Sequence, residues 1–178
     1  MSDYEEIAVT TLSSDAASIA MTGITQAYKT LDVSIQLRVD STSFPTGCKA
    51  YVYINGDTTL ANYHQFGQQI IRTGPSSGDA TQSQNNLNGQ FCILGAASNS
   101  DANLMGYTRL TFQNYSGSAL QKTGYYQTMS FKDNQNNGQL SQVGLWNWMS
   151  TAAITSITVT GFSNLLAGSS VSICGLKG

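Results

Sequence analysis

Leu31-Asp32-Val33-Ser34-Ile35-Gln36-Leu37-Arg38-Val39-Asp40 is the stretch that decides the fold. Five apolar residues alternate with five polar ones, the period-2 signature of a strand with one buried face. A slip of one residue would turn every apolar side chain to the wrong face, so the register is strongly specified. The polar face, with Asp32, Arg38 and Asp40, is expected to look toward water or a polar interface.

Working outward, Ala50-Tyr51-Val52-Tyr53-Ile54 alternates in the same way and stops at Asn55-Gly56-Asp57. Asn and Gly tolerate positive φ, so this tripeptide reads as the turn of a hairpin. Further strands are expected around Glu5 to Thr11, Ser18 to Met21, Gln68 to Thr73 and Gln90 to Leu94. Others are expected at Met105 to Phe112, Gly124 to Phe131, Val143 to Trp148, Ile154 to Thr160 and Ser170 to Leu176. Gly74 to Asn88 and Lys132 to Gln139 are rich in amides and glycine and read as loops. The best helical attempt, Asp15 to Met21, is short and runs into Thr22 and Gly23. Short strands about ten residues apart, parted by Gly and Asn turns, predict an all-β antiparallel sandwich of about eight to ten strands. Double-sheet jelly-roll connectivity is the first choice. The 178 residues fit a single domain, with residues 1–12 as an extended N-terminal strand or arm.

Charged residues make up only 10 % of the chain against 40 % apolar ones, and the formal net charge is −2. A disordered chain has the opposite balance. The eight Lys and Arg are scattered, without the cationic track that phosphate binding needs, so no nucleic-acid partner is expected. Ser, Thr, Asn and Gln must cover the surface instead. The opening MSDYEEIAVT lacks the basic segment and apolar stretch of a secretion signal, and no apolar run approaches the ~18 residues that span a bilayer. Synthesis in a cytoplasm and no membrane partner are therefore expected.

No catalytic constellation is legible. His64 is the sole histidine, without the partners of a triad or zinc site, and reads as structural or surface-borne. Cys48, Cys92 and Cys174 lack metal-ligand spacing and read as buried small apolar groups. Asp57, Asp79, Asp101 and Asp133 fall in expected loops and read as solvated acids, since calcium needs about six to eight converging oxygens. No cofactor or metal is expected. The aromatic residues carry the one binding signal. Tyr125, Tyr126, Trp146 and Trp148 are the candidate binding surface, a platform on which sugar rings would stack. Trp146 and Trp148, two apart, share a face if their segment is a strand, and filling a core or interface is the first reading of such large side chains.

Three groups of residues carry a resemblance. In the C-terminal third these are Gly144-Leu145-Trp146, Ser150 to Val159 (STAAITSITV) and Ala167 to Lys177 (AGSSVSICGLK). Toward the N-terminus stand Ile7 to Leu12, the alternating Leu31 to Val39, and Asn55-Gly56-Asp57 followed by Asn62-Tyr63. In this order the chain resembles a family of small bacteriophage virion proteins, whose members show LWxSTxAITSIT, an AGSxxxLYGIK-like ending and NGDxxxNY. Trp148 and Cys174 depart from that pattern, Cys174 standing at a common Tyr position. Physically the motifs are strands and turns, with Gly168 marking a turn and Gly175 a close backbone approach.

The resemblance implies a structural component of the virion, not an enzyme. The first expectation is a capsid decoration protein that binds the phage coat protein as a homo-oligomer, with a trimer as its symmetry. The alternative is a tail-associated module, held by tail proteins, that recognises a host glycan through aromatic platforms.

Overall fold

The computed structural model describes residues 4–44, 47–72, 80–86, 92–101, 103–132 and 138–177. Twelve strands form among them: β1 (Tyr4–Thr11), β2 (Ala16–Thr22), β3 (Thr30–Leu37), β4 (Lys49–Ile54), β5 (Tyr63–Arg72) and β6 (Ala80–Asn86). They continue with β7 (Cys92–Leu94), β8 (Gly106–Gln113), β9 (Lys122–Phe131), β10 (Gln139–Trp148), β11 (Ser156–Leu165) and β12 (Ser170–Leu176). The only helical element among the described residues is a single 3₁₀ turn at Leu60–Asn62.

The chain is an all-β sandwich of two antiparallel sheets. One has eight strands in the order β1-β12-β3-β8-β9-β10-β5-β6, and the other has four in the order β2-β11-β4-β7. The first four strands of the large sheet and the four of the small one form a jelly roll. Along the chain β1/β2, β3/β4, β7/β8 and β11/β12 each step from one sheet to the other, so the first and last strands lie side by side. Two excursions, β5–β6 after β4 and β9–β10 after β8, pair through β10 and β5 and extend the large sheet beyond β8. These four strands bring the described total above the eight to ten expected.

The alternation of the deciding stretch is realised. Leu31, Val33, Ile35 and Leu37 are buried on β3 and meet Val52, Ile54, Ile157 and Val159 from the small sheet within one core. The hydrogen-bonded pairing in the large sheet ends at Leu37. Arg38 then bridges to Ala96, and Val39 to Leu165 of β11.

Three local readings need correction. Asn55 and Gly56 do take positive φ, +52° and +71°, and Asp57 N–H closes the turn on Ile54 O at 2.9 Å. The turn joins no hairpin, because β4 pairs with β11 and β7 while β5 pairs with β10 and β6; it is a corner between the sheets. The stretch Gly74 to Asn88, read as a loop, contains β6, an edge strand paired with β5 from Gln65↔Asn86 to Ile71↔Ala80. The rest of that stretch, and most of Lys132 to Gln139, lies outside the described residues. Finally, the polar face of β3 is not simply solvated. Asp32 is nearly buried under a bidentate Arg109, and the Arg38 guanidinium donates to the carbonyls of Ser98, Ser100 and Asp101 at 2.9–3.2 Å.

Candidate functional site

The extension of the large sheet buries several polar groups and exposes several apolar ones. On the side facing the small sheet run Thr108, Thr128, Gln142 and Gln69, one from each of β8, β9, β10 and β5. Thr108 and Thr128 share a 2.7 Å hydroxyl bond, and Gln142 Nε2 donates to Gln69 Oε1 at 2.9 Å. Gln65 and Gln69 are buried. The opposite, outward side carries exposed apolar residues among polar ones: Phe66 (58 % exposed), Ile70 (51 %), Val143 (48 %) and Leu145 (49 %). Buried polar groups beside exposed large apolar ones are the informative departure from ordinary packing.

Register places these side chains in rows across the strands. Leu145 lies opposite both Phe66 and Tyr125, so the three form a continuous apolar row over β5, β10 and β9. Val143 lies in the next row between Gln68 and Gln127, and Ser141 in the one after, between Ile70 and Met129. Among the described residues, shallow concavities open on this face. One, of about 730 Å³, is lined by Arg109, Tyr125, Gln127, Val143 and Leu145 among others. One of about 410 Å³ lies at the His64–Asn147 end, and one of about 330 Å³ at the Ile70–Phe131 end. The face is close to electroneutral where it borders the jelly roll, because Arg109 is paired to Asp32. Hydrogen bonding to that carboxylate, and its charge, hold the guanidinium firmly protonated.

The four aromatic residues singled out in the sequence divide unequally. Tyr125 is on the outward face and 59 % exposed. Tyr126, Trp146 and Trp148 point inward and are only 2–3 % exposed, so they offer no ring face to a ligand. The core reading holds for the two tryptophans, and the platform is corrected to Tyr125 alone of the four. Trp146 and Trp148 do share a face, as two-residue spacing requires, but it is the covered one. Trp146 packs on Phe112 with ring centroids 4.4 Å apart. It lies over Gly124, where a Cβ would come within 2.7 Å of its Nε1, and Tyr126 likewise lies over Gly67.

Trp148 belongs to a structural knot that unites two of the resemblance motifs. Its Nε1 donates to Asp57 Oδ2 at 2.8 Å, and Asn62 Nδ2 donates to the same oxygen, also at 2.8 Å. Tyr63 Oη donates to Asp57 O at 2.7 Å and accepts from Ile54 N–H at 2.9 Å. Asn55 reaches across to the segment before β11: Oδ1 accepts from Thr155 N–H and Ser156 N–H, and Nδ2 donates to Ala153 O. Lys122, fully buried, holds Thr151 from the other side. Its Nζ donates to the carbonyls of Gly117, Leu120 and Thr151, and burial lowers its pKa. Residues 55–63 and 150–156 are thus one fastened corner. Toward the C-terminus, Gly168 turns with φ +87° and Gly175 lies against the Tyr28 ring, as their positions suggest.

The remaining candidates have structural surroundings. His64 is half-buried on the outward face beside Phe66. Burial pushes the Cys48 thiol up to about 11, where it is a neutral apolar group at ordinary pH, and Cys174 is half-buried on β12. The side chain of Cys92 lies outside the described residues, as do Asp79 and Asp133. Among the described residues no three His, Cys, Asp or Glu side chains converge to hold a metal ion. Phe66, Ile70, Val143 and Leu145 escaped sequence reading. Their signal was present: between Gln65 and Ile70 the apolar residues occupy the positions out of step with Tyr63, the anchor of the strand.

A scan against models of known protein families finds no match, and no curated protein matches the chain.

Proposed function

We propose that this chain is a non-catalytic structural subunit of a bacteriophage particle, a capsid decoration protein that docks on the coat lattice through the outward face of its extended sheet. The exposed apolar side chains Ile70 on β5 and Val143 on β10 carry the reading. A strand that buries Gln65 and Gln69 while exposing Ile70 forgoes apolar burial within its own fold, and burying the Ile70 end against a partner restores it. The docking centre is the Ile70–Val143–Met129 end, where apolar side chains stand among neutral amides and hydroxyls, with Arg72 at its margin. The resemblance of the fastened corner and the C-terminal strands to small virion proteins supports the phage setting.

Decoration proteins work in many copies, and this one acts as a symmetric homo-oligomer, a trimer in the simplest arrangement. Weak contacts from each copy then add through effective concentration. Immunogold labelling of purified particles tests the reading. Label over the whole head is expected, and Val143→Asp with Ile70→Asp should abolish incorporation while the purified variant stays folded. Label confined to the tail, or normal incorporation of the double variant, would overturn it.

A further inference from the structure

We infer that the His64–Asn147 end of the outward face is a binding groove for a neutral oligosaccharide. This goes beyond the docking reading and does not depend on it.

The groove runs across the strands. One wall is the row Phe66–Leu145–Tyr125, and the other is the row His64–Asn147–Thr123, continued by Gln113 at the end of β8. Between Thr123 and Tyr125 the floor is the backbone of Gly124, an inward-facing position of β9. The two walls differ in kind. The first presents two exposed rings, Phe66 and Tyr125, separated by two inter-strand spacings, about 10 Å. The second presents an imidazole, two carboxamides and a hydroxyl, all half-buried or exposed, with both donors and acceptors. Asn147 is positioned by long bonds from its Nδ2 to Gln121 Oε1 (3.3 Å) and Lys122 O (3.4 Å).

A pyranose has this same two-sided chemistry. Its axial C–H groups form an apolar face that packs on an aromatic ring, and its equatorial hydroxyls need paired donors and acceptors at the rim. Two rings about two strands apart engage different sugars of one chain. Neither Lys, Arg, Asp nor Glu lines the groove. An acidic glycan or a nucleic acid would find no Lys or Arg there to pair with, whereas a neutral one needs none. An apolar peptide would leave the amide wall unpaired. The volume, about 410 Å³, lies within the range of small-ligand sites, about 300–1,000 Å³. Crossing from β8 to β5 gives the groove a length of about 14 Å, room for a short oligosaccharide rather than a single ring.

The test is a glycan array carrying neutral and acidic oligosaccharides, probed with the full chain and with Tyr125→Ala, Phe66→Ala, Asn147→Ala and Ile70→Ser, each checked for native circular dichroism. Signals confined to neutral glycans are expected. Tyr125→Ala and Phe66→Ala should each weaken them at least tenfold, Asn147→Ala at least threefold, and Ile70→Ser should leave them unchanged. No glycan bound, binding of acidic glycans alone, or binding indifferent to Tyr125 and Phe66 would overturn the inference. Loss of particle incorporation in Tyr125→Ala without any glycan signal in the parent would assign the row to protein docking instead. Failure of Ile70→Asp to block incorporation bears on the docking reading alone.

Discussion

Asp57 shows how much structure one side chain carries. Its carboxylate gathers Trp148 Nε1, Asn62 Nδ2 and Thr59 N–H. Burial works to raise its pKa, but these donors together outweigh it and hold the group below the ordinary 3.8. A group whose folded pKa is depressed stabilises fully above its unfolded pKa and ceases to do so as pH falls through the folded value. Asp57→Ala should cost about 2–3 kcal/mol at neutral pH, since it removes a charge-assisted bond and strands a buried indole N–H. Thermal unfolding of parent and variant from pH 7 to pH 3, followed by tryptophan fluorescence, should show the gap narrowing below about pH 4. A gap unchanged over that range would mean that the carboxylate contributes no charge-dependent stability. The sequence displayed Asn55, Gly56 and Asp57 as a turn, which they are. It did not display the partners, because Trp148 lies 91 positions away and only the two-sheet geometry brings it to Asp57.

Among elements, β3 and β12 were legible and β6 was not, for a physical reason. Strands that bury one face write that burial into the sequence, as Leu31 to Leu37 and Val171 to Ile173 do. The segment Ala-Thr-Gln-Ser-Gln-Asn-Asn has no apolar alternation to read, and its place at the sheet edge is fixed by backbone pairing with β5. For β10 the period was legible but its direction was not. Trp146 and Trp148 share a face, and whether that face is inward depends on glycines in the neighbouring strands. Gly124 is the critical one: a Cβ there would stand 1.7 Å from Thr111 O, a backbone atom that cannot swing aside, and 2.7 Å from Trp146 Nε1. Gly124→Ala should therefore destabilise the domain by about 3 kcal/mol, as overpacking against backbone does, and lower the urea midpoint accordingly. A midpoint unchanged would show that β8 and β9 can part without cost.

Over the whole molecule, the sequence-level expectation of an all-β jelly roll holds, and the four-strand extension supplies what composition alone did not. A jelly roll by itself closes its core between β1-β12-β3-β8 and β2-β11-β4-β7. The added β9, β10, β5 and β6 enlarge the sheet and turn a largely uncharged apolar side outward, at Ile70, Val143 and Leu145. That asymmetry underlies the proposed attachment to a coat lattice, and the groove beside His64 and Asn147 occupies one end of it. A side-chain-resolution map of the particle that carries this chain tests the central claim most directly. It should show Ile70 and Val143 of every copy covered by coat protein. Copies in which Ile70 and Val143 stand open to solvent, or particles without the chain, would contradict it.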